Sequence, residues 1–210
     1  MFVILFMAQK GGVAKTTLLW NLAIMACLAG YRVCLIDFDE VQASLTRLVE
    51  RRELNPWFQL LKADFADLRT KLTQAATDGF QYCFIDTAGE DNPAFSRIVE
   101  LADFVVVPCG ESDLDLASIE STLAILRRQN APHAILPARV YHTETVGTRE
   151  WRERMMLLAP TFETQMTELV CFKRSIDEGL SVAEYDSTGR AADEIMQTYL
   201  ELKYALEGGS

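Results

Sequence analysis

The stretch Lys10-Gly11-Gly12-Val13-Ala14-Lys15-Thr16-Thr17 constrains this chain more than any other. It follows the apolar run Phe2–Ala8 and opens onto the apolar run Leu18–Ala26, so a buried strand feeds a glycine-bearing turn and then a helix. In that setting the backbone N–H groups of the turn and of the first helical turn point at one spot and carry partial positive charge. A triphosphate is the natural occupant of such a spot. Lys15 is placed to bridge the β- and γ-phosphates, and the Thr16 hydroxyl to ligate Mg²⁺. Gly11, Gly12, Val13, Ala14 and Thr17 complete the cradle.

A chain of 210 residues, 50% hydrophobic and 24% charged, suits one α/β domain better than two. The expected domain is residues 1–207, with Gly208-Gly209-Ser210 an appended remnant. No apolar run reaches the ~18 residues that span a bilayer. The run Met1–Ala8 lacks a basic leader and a cleavage site and reads as a strand. Five cysteines (Cys27, Cys34, Cys83, Cys109 and Cys171) fall at irregular spacing, which points to free thiols in a reducing cytoplasm. The net charge of −10 excludes a generic nucleic-acid binder, so any DNA contact needs a local basic patch, doubled by dimerisation.

Apolar runs and helical periodicity alternate along the chain. Strands are expected at Arg32–Asp37, Gln81–Asp86, Phe104–Pro108 and Ala134–Val140, with a sixth within Phe162–Thr167. Helical spacing is weak through Leu45–Leu61, where Pro56 interrupts it, and clearer through Phe65, Leu68, Leu72 and Ala75 to Asp78-Gly79. Further helices are expected near Pro93–Leu101, at Leu114–Arg128 and Thr148–Ala159, around Glu168–Glu178 and over Thr188–Leu206. Strands of this kind are buried on both faces, which makes the fold class α/β, a doubly wound and mostly parallel sheet flanked by helices. Ligands of such sheets bind beyond the carboxyl ends of the strands. Two strands end there in aspartate, at Asp37-Phe38-Asp39 and at Asp86. A lone aspartate after a strand is usually a helix cap, but three beside one phosphate loop suit a Mg²⁺–phosphate site.

The early lysine, with Gln9 where an ordinary phosphate loop has its first glycine, resembles K-G-G-x-G-K-[ST]-[ST], the deviant Walker A motif of the ParA/MinD family of ATPases. The resemblance implies ATP or ADP with Mg²⁺ as ligands, and a homodimer that sandwiches the nucleotide. Carried over by motif position, Lys10 reaches the phosphates of the partner's nucleotide, as a cation supplied in trans to developing charge. Lys10, Lys15 and Asp39 are then the catalytic set. Asp39 holds the attacking water, Asp37 supports the Mg²⁺ and phosphate shell, and Asp86, on a strand like Walker B, acts on Mg²⁺ through its waters. Arg139, at the end of the Ala134–Val140 strand, is a candidate for the adenine. The segments Val107-Pro108-Cys109-Gly110 and Ser112–Ala117 resemble short, plasmid-type ParA chains, as does the tail with Lys173-Arg174-Ser175-Ile176, Gly179, Ser181-Val182, Glu184 and Asp186.

Two departures stand out. The family has glycine where this chain has Ala14; if φ is positive there, alanine costs on the order of 1 kcal/mol and hydrolysis slows. The family's D-x-D-P-Q becomes Asp39-Glu40-Val41-Gln42, without proline and one residue longer.

ParA-type members grip DNA non-specifically as ATP dimers and are released when an adaptor of ParB-like role stimulates hydrolysis. Arg149, Arg152 and Arg154 on one helix, with Trp151 between them, and Lys173 and Arg174 are the candidates for DNA contact. MinD-type members bind membrane through a basic C-terminal helix; here Ala192–Glu207 carries four acids and one lysine, and its stripe of Ile195, Tyr199, Leu202 and Leu206 suits a face packed on the sheet. An iron–sulfur reductase needs a cysteine pair presented across a dimer, and none is evident. The expectation is a cytoplasmic partitioning or positioning ATPase with weak basal activity. The alternatives are a MinD-like switch without DNA, or a nucleotide switch with negligible hydrolysis.

Overall fold

The computed structural model describes residues 1–39, 41–52, 56–89, 95–141 and 145–208. Its parallel sheet runs β3-β2-β4-β1-β5-β6-β7. The strands are β1 (Phe2–Phe6), β2 (Val33–Asp37), β3 (Phe58–Leu60), β4 (Tyr82–Asp86), β5 (Phe104–Cys109), β6 (His133–Val140) and β7 (Met166–Thr167). Strand side chains alternate, so every strand buried on both sides feeds two cores.

On one face Ile4, Phe6, Leu35, Phe84 and Val106 pack against α1 (Lys15–Leu28), α2 (Ser44–Glu50), α7 (Val170–Asp177), α8 (Val182–Tyr185) and α9 (Arg190–Leu206). On the other, Val3, Leu5, Ile36, Ile85 and Val105 meet α3 (Leu68–Thr77), α4 (Phe95–Val99), α5 (Asp113–Arg128) and α6 (Val146–Leu158). Helix α1 is buried along Leu18–Ala26 because it lies between the sheet and α9. A helix apolar all round belongs in such a place. In α9 the stripe Ile195, Tyr199 and Leu202 is buried in the same core. Among the described residues no helix is long and apolar enough to cross a membrane.

Two elements differ from the sequence reading. The weak helical pattern over Leu45–Leu61 resolves into α2 and then β3, a three-residue edge strand. It pairs with β2, Val33 against Phe58, and burial of Phe58 in that register outweighs local periodicity. The strand expected within Phe162–Thr167 contracts to β7, joined to β6 across an irregular register, with a single bridge from Ile135 to Thr161 ahead of it. Glu40 and Pro93 lie outside the described residues.

The carboxyl ends of β2, β4 and β1 are level, because Asp37 and Phe6 both lie opposite Asp86. This alignment puts the glycine turn and two of the aspartates along one edge.

Candidate functional site

From Phe6 the chain turns through Gly12, whose φ is +78°, and Ala14, at φ 65° and ψ 24°, before α1 begins at Lys15. Ala14 therefore occupies the left-handed region that the family's glycine suits, at a cost of about 1–2 kcal/mol for an alanine. It is also the N-cap of α1 and provides no side-chain acceptor. The helix's leading N–H groups are thus left to a ligand, and the macrodipole favours an anion there. Gly89, beyond β4, is required for a different reason. A Cβ on it would stand 2.9 Å from the Gly11 nitrogen and 3.0 Å from the Gly11 Cα, so the two loops pack backbone to backbone.

Lys15 is 8% exposed, and burial lowers its pKa against the pull of Asp86 and Asp39. The Thr16 hydroxyl donates to Asp86 Oδ2 at 2.5 Å. The other oxygen, Asp86 Oδ1, is buried without a hydrogen-bond partner. Burial raises the Asp86 pKa to about 7, aided by repulsion from Asp37 and Asp39 and opposed by Thr16 and Lys15. A buried carboxylate with one unsatisfied oxygen beside a hydroxyl is electrostatically incomplete, and a hard divalent cation matches that donor set. Thr16 and Asp86 therefore fit Mg²⁺.

Asp37 is committed elsewhere. Its Oδ2 accepts from both the Thr46 N–H and the Thr46 hydroxyl at 3.0 Å, and its Oδ1 from the Asp39 N–H at 3.0 Å. It shapes the loop at Asp39 and the start of α2. Asp39 in turn accepts from the Gln42 N–H at 2.9 Å. It lines a cleft of about 460 Å³ together with Gly11, Gly12, Ala14, Lys15, Thr16 and Thr17. A larger cavity of about 750 Å³ between α1, α8 and α9 contains none of the motif residues. Chemistry, and not size, selects the smaller cleft.

Lys10 is exposed on the rim and pairs within its own chain: its Nζ lies 2.5 Å from Asp115 Oδ1 on α5. Burial works against the Asp115 carboxylate, but hydrogen bonds from Lys10 and Ser112 outweigh it and hold its pKa below the ordinary value. Arg139 bridges two elements, donating from Nε to Glu168 at 2.7 Å and from Nη1 to the Gly12 carbonyl at 2.9 Å. Its φ of +55° is an uncommon conformation for arginine and falls where the register of β6 against β7 shifts.

The basic candidates divide between the two faces of the sheet. Helix α6 packs on the core of α5 through Trp151, which is buried and cannot interleave with cations on the surface. Arg152 donates to the carbonyls of Phe162 and Glu163, and Arg154 pairs with Asp113. Arg149 is exposed. Lys173 and Arg174 are exposed on α7, on the opposite face. Asp115, Gly89, Thr46 and Glu168 were not singled out from the sequence. Asp115 lies in the Ser112–Ala117 segment noted above, but an acid in the first turn of a long helix is ordinarily read as a dipole partner.

A parallel sheet whose central strand opens through this turn into an uncapped helix, with carboxylates on the neighbouring strand ends, defines a P-loop nucleotide-binding protein. The chain belongs to the family of the CobQ/CobB/MinD/ParA nucleotide binding domain, whose profile matches residues 4–190. It is 30% identical over 212 residues to the maintenance of carboxysome distribution protein A of Gloeobacter kilaueensis, covering 98% of this chain and 94% of that one. It is 27% identical over 191 residues to protein virC1 of Rhizobium rhizogenes, covering 86% and 82%. Among solved structures, apo McdA of Cyanothece shares the fold at TM-score 0.80 and 19% identity, over 98% and 99% of the two chains. MinD of Pyrococcus horikoshii, complexed with Mg-ADP, does so at TM-score 0.81 and 14% identity, over 99% and 97%.

Proposed function

We propose that this protein is a ParA-type ATPase that partitions or positions a cargo. The observation that carries the reading is the cleft in which Lys15, Thr16 and Asp39 meet beside the half-satisfied Asp86. The relative named for carboxysome distribution supports the cargo-positioning part. Lys15 holds the β- and γ-phosphates of ATP, with the backbone of Gly11–Thr17 around them. Thr16 and Asp86 hold Mg²⁺, which when bound supplies charge neutralisation of the phosphates. Asp39, fixed by Asp37 and Gln42, positions the attacking water. In the dimer Lys10 leaves Asp115 and crosses to the partner's nucleotide, and Arg139 borders the base.

The ATP dimer binds DNA non-specifically through exposed cations, and an adaptor stimulates hydrolysis to release it. Lys173 and Arg174 lead this set, because α6 holds Arg152 and Arg154 in contacts of its own. The protein works in the cytoplasm on the nucleoid. The strained Ala14 supports slow basal turnover.

The test is binding of the purified protein to non-specific duplex DNA with ATP, ADP or no nucleotide, at low and moderate salt. ATP-dependent, salt-sensitive binding is expected. ATP-driven dimers that ignore DNA at every salt concentration would remove the DNA matrix and transfer the same engine to a protein or membrane surface.

A further inference from the structure

Helix α2 is tied to the catalytic strand end at several points. The Ala43 N–H donates to the Asp39 carbonyl at 2.6 Å, the Gln42 N–H to the Asp39 carboxylate, and Thr46 to Asp37 through both its N–H and its hydroxyl. The next residue, Arg47, lines the same cleft as Lys15, Thr16, Asp39 and Gly89. Several cations of this acidic chain are neutralised: Lys10 by Asp115, Arg52 by Glu184, Arg139 by Glu168, Arg154 by Asp113 and Arg190 by Glu194. Arg47 is exposed, and its guanidinium makes no hydrogen bond or ion pair among the described residues. Arg51, one turn further along, also lines the cleft and makes a long hydrogen bond to the Ile176 carbonyl at 3.4 Å. The cleft thus carries an uncommitted guanidinium beside the phosphate turn, on a helix that cannot move without moving Asp37 and Asp39.

We propose that Arg47 is a nucleotide-binding residue whose guanidinium meets the γ-phosphate of ATP bound in its own protomer, so that α2 distinguishes ATP from ADP. The inference rests on the nucleotide reading above. Arginine suits the task because its planar fork matches phosphate oxygens and keeps its charge at any working pH. The γ-phosphate is its target because Arg47 lines the same cleft as Thr16 and Asp39, to which the reading above assigns Mg²⁺ and the attacking water.

The experiment is calorimetric titration of wild type, Arg47→Ala and Arg47→Lys with MgATP and with MgADP, alongside thermal melts. Loss of a charge-assisted phosphate contact should weaken ATP binding by roughly 10- to 100-fold. ADP binding should change less than about twofold, and Arg47→Lys should recover part of the ATP affinity. A purely structural role would lower the melting temperature and both affinities together. Equal losses for the two nucleotides, or no loss for either, would overturn the proposal while leaving the ATPase reading intact. A wild type that binds neither nucleotide would end both.

Discussion

In the proposed ATP dimer the Lys10–Asp115 pair would set a threshold for association, and Asp115→Asn should lower it. On that reading Lys10 would have to let go of α5 before acting across an interface. The ammonium is 42% exposed and the carboxylate 14%, at 2.5 Å, so the pair is only partly shielded from solvent. Such a pair contributes about 0.5–1 kcal/mol once screening is allowed for. Both protomers must break it, so the dimer equilibrium carries about 1–2 kcal/mol of this cost, equivalent to roughly 5- to 30-fold in the dissociation constant. Asparagine keeps the size of the side chain and can still accept from the Ser112 hydroxyl, while the Ser112 cap on the residue 115 N–H is untouched. Sedimentation velocity with a slowly hydrolysed ATP analogue should therefore show tighter Asp115→Asn dimers at low salt. The gap from wild type should narrow as salt screens the pair. A dissociation constant within twofold of wild type, or a weaker dimer, would refute the idea that Lys10 is held back in its own chain.

Ala14→Gly should relieve the left-handed backbone, and after the entropy glycine adds to the unfolded chain the protein should gain up to about 1 kcal/mol, read by urea unfolding, together with faster ATP turnover. Gly89→Ala should force the Gly11 backbone aside and weaken MgATP binding at least about tenfold, with the far-ultraviolet circular dichroism unchanged; normal affinity would mean the two loops do not pack as described. Glu184→Gln keeps the capping box at Ser181 but removes the charge facing Arg52, and should cost about 1–2 kcal/mol at neutral pH for this partly buried pair. Burial opposes ionisation of Glu184, but Arg52 and Ser181 outweigh it and hold its pKa below the usual 4.5, so the advantage of wild type should be full above pH 4.5 and fade as pH falls below it. Melting curves of both proteins across that range would check the sign.

How much of this was legible beforehand differs residue by residue. The strand–turn–helix reading of Phe2–Ala26 survived intact because its apolar runs are long and its turn chemistry is local. The cost assigned to Ala14 depended on a backbone angle, and the angle is indeed positive. By contrast, β3 was hidden, since three residues at a sheet edge leave no periodic signal and take their conformation from β2. Trp151, set between Arg149, Arg152 and Arg154 in the sequence, is turned into the core by the packing of α6.

The sequence by itself determined the class of the fold, the phosphate turn, and which carboxylates end the strands beside it. These follow from local propensity and from burial on both faces of a parallel sheet, which are properties of short segments. Tertiary structure alone decided who meets whom across long separations: Lys10 with Asp115, Arg139 with Gly12 and Glu168, Gly89 against Gly11, and Arg47 in the cleft. Nothing local encodes these pairings. They arise because the strand order brings the carboxyl ends of β2, β4, β1, β5 and β6 to one edge, where loops distant in sequence share the same few ångströms.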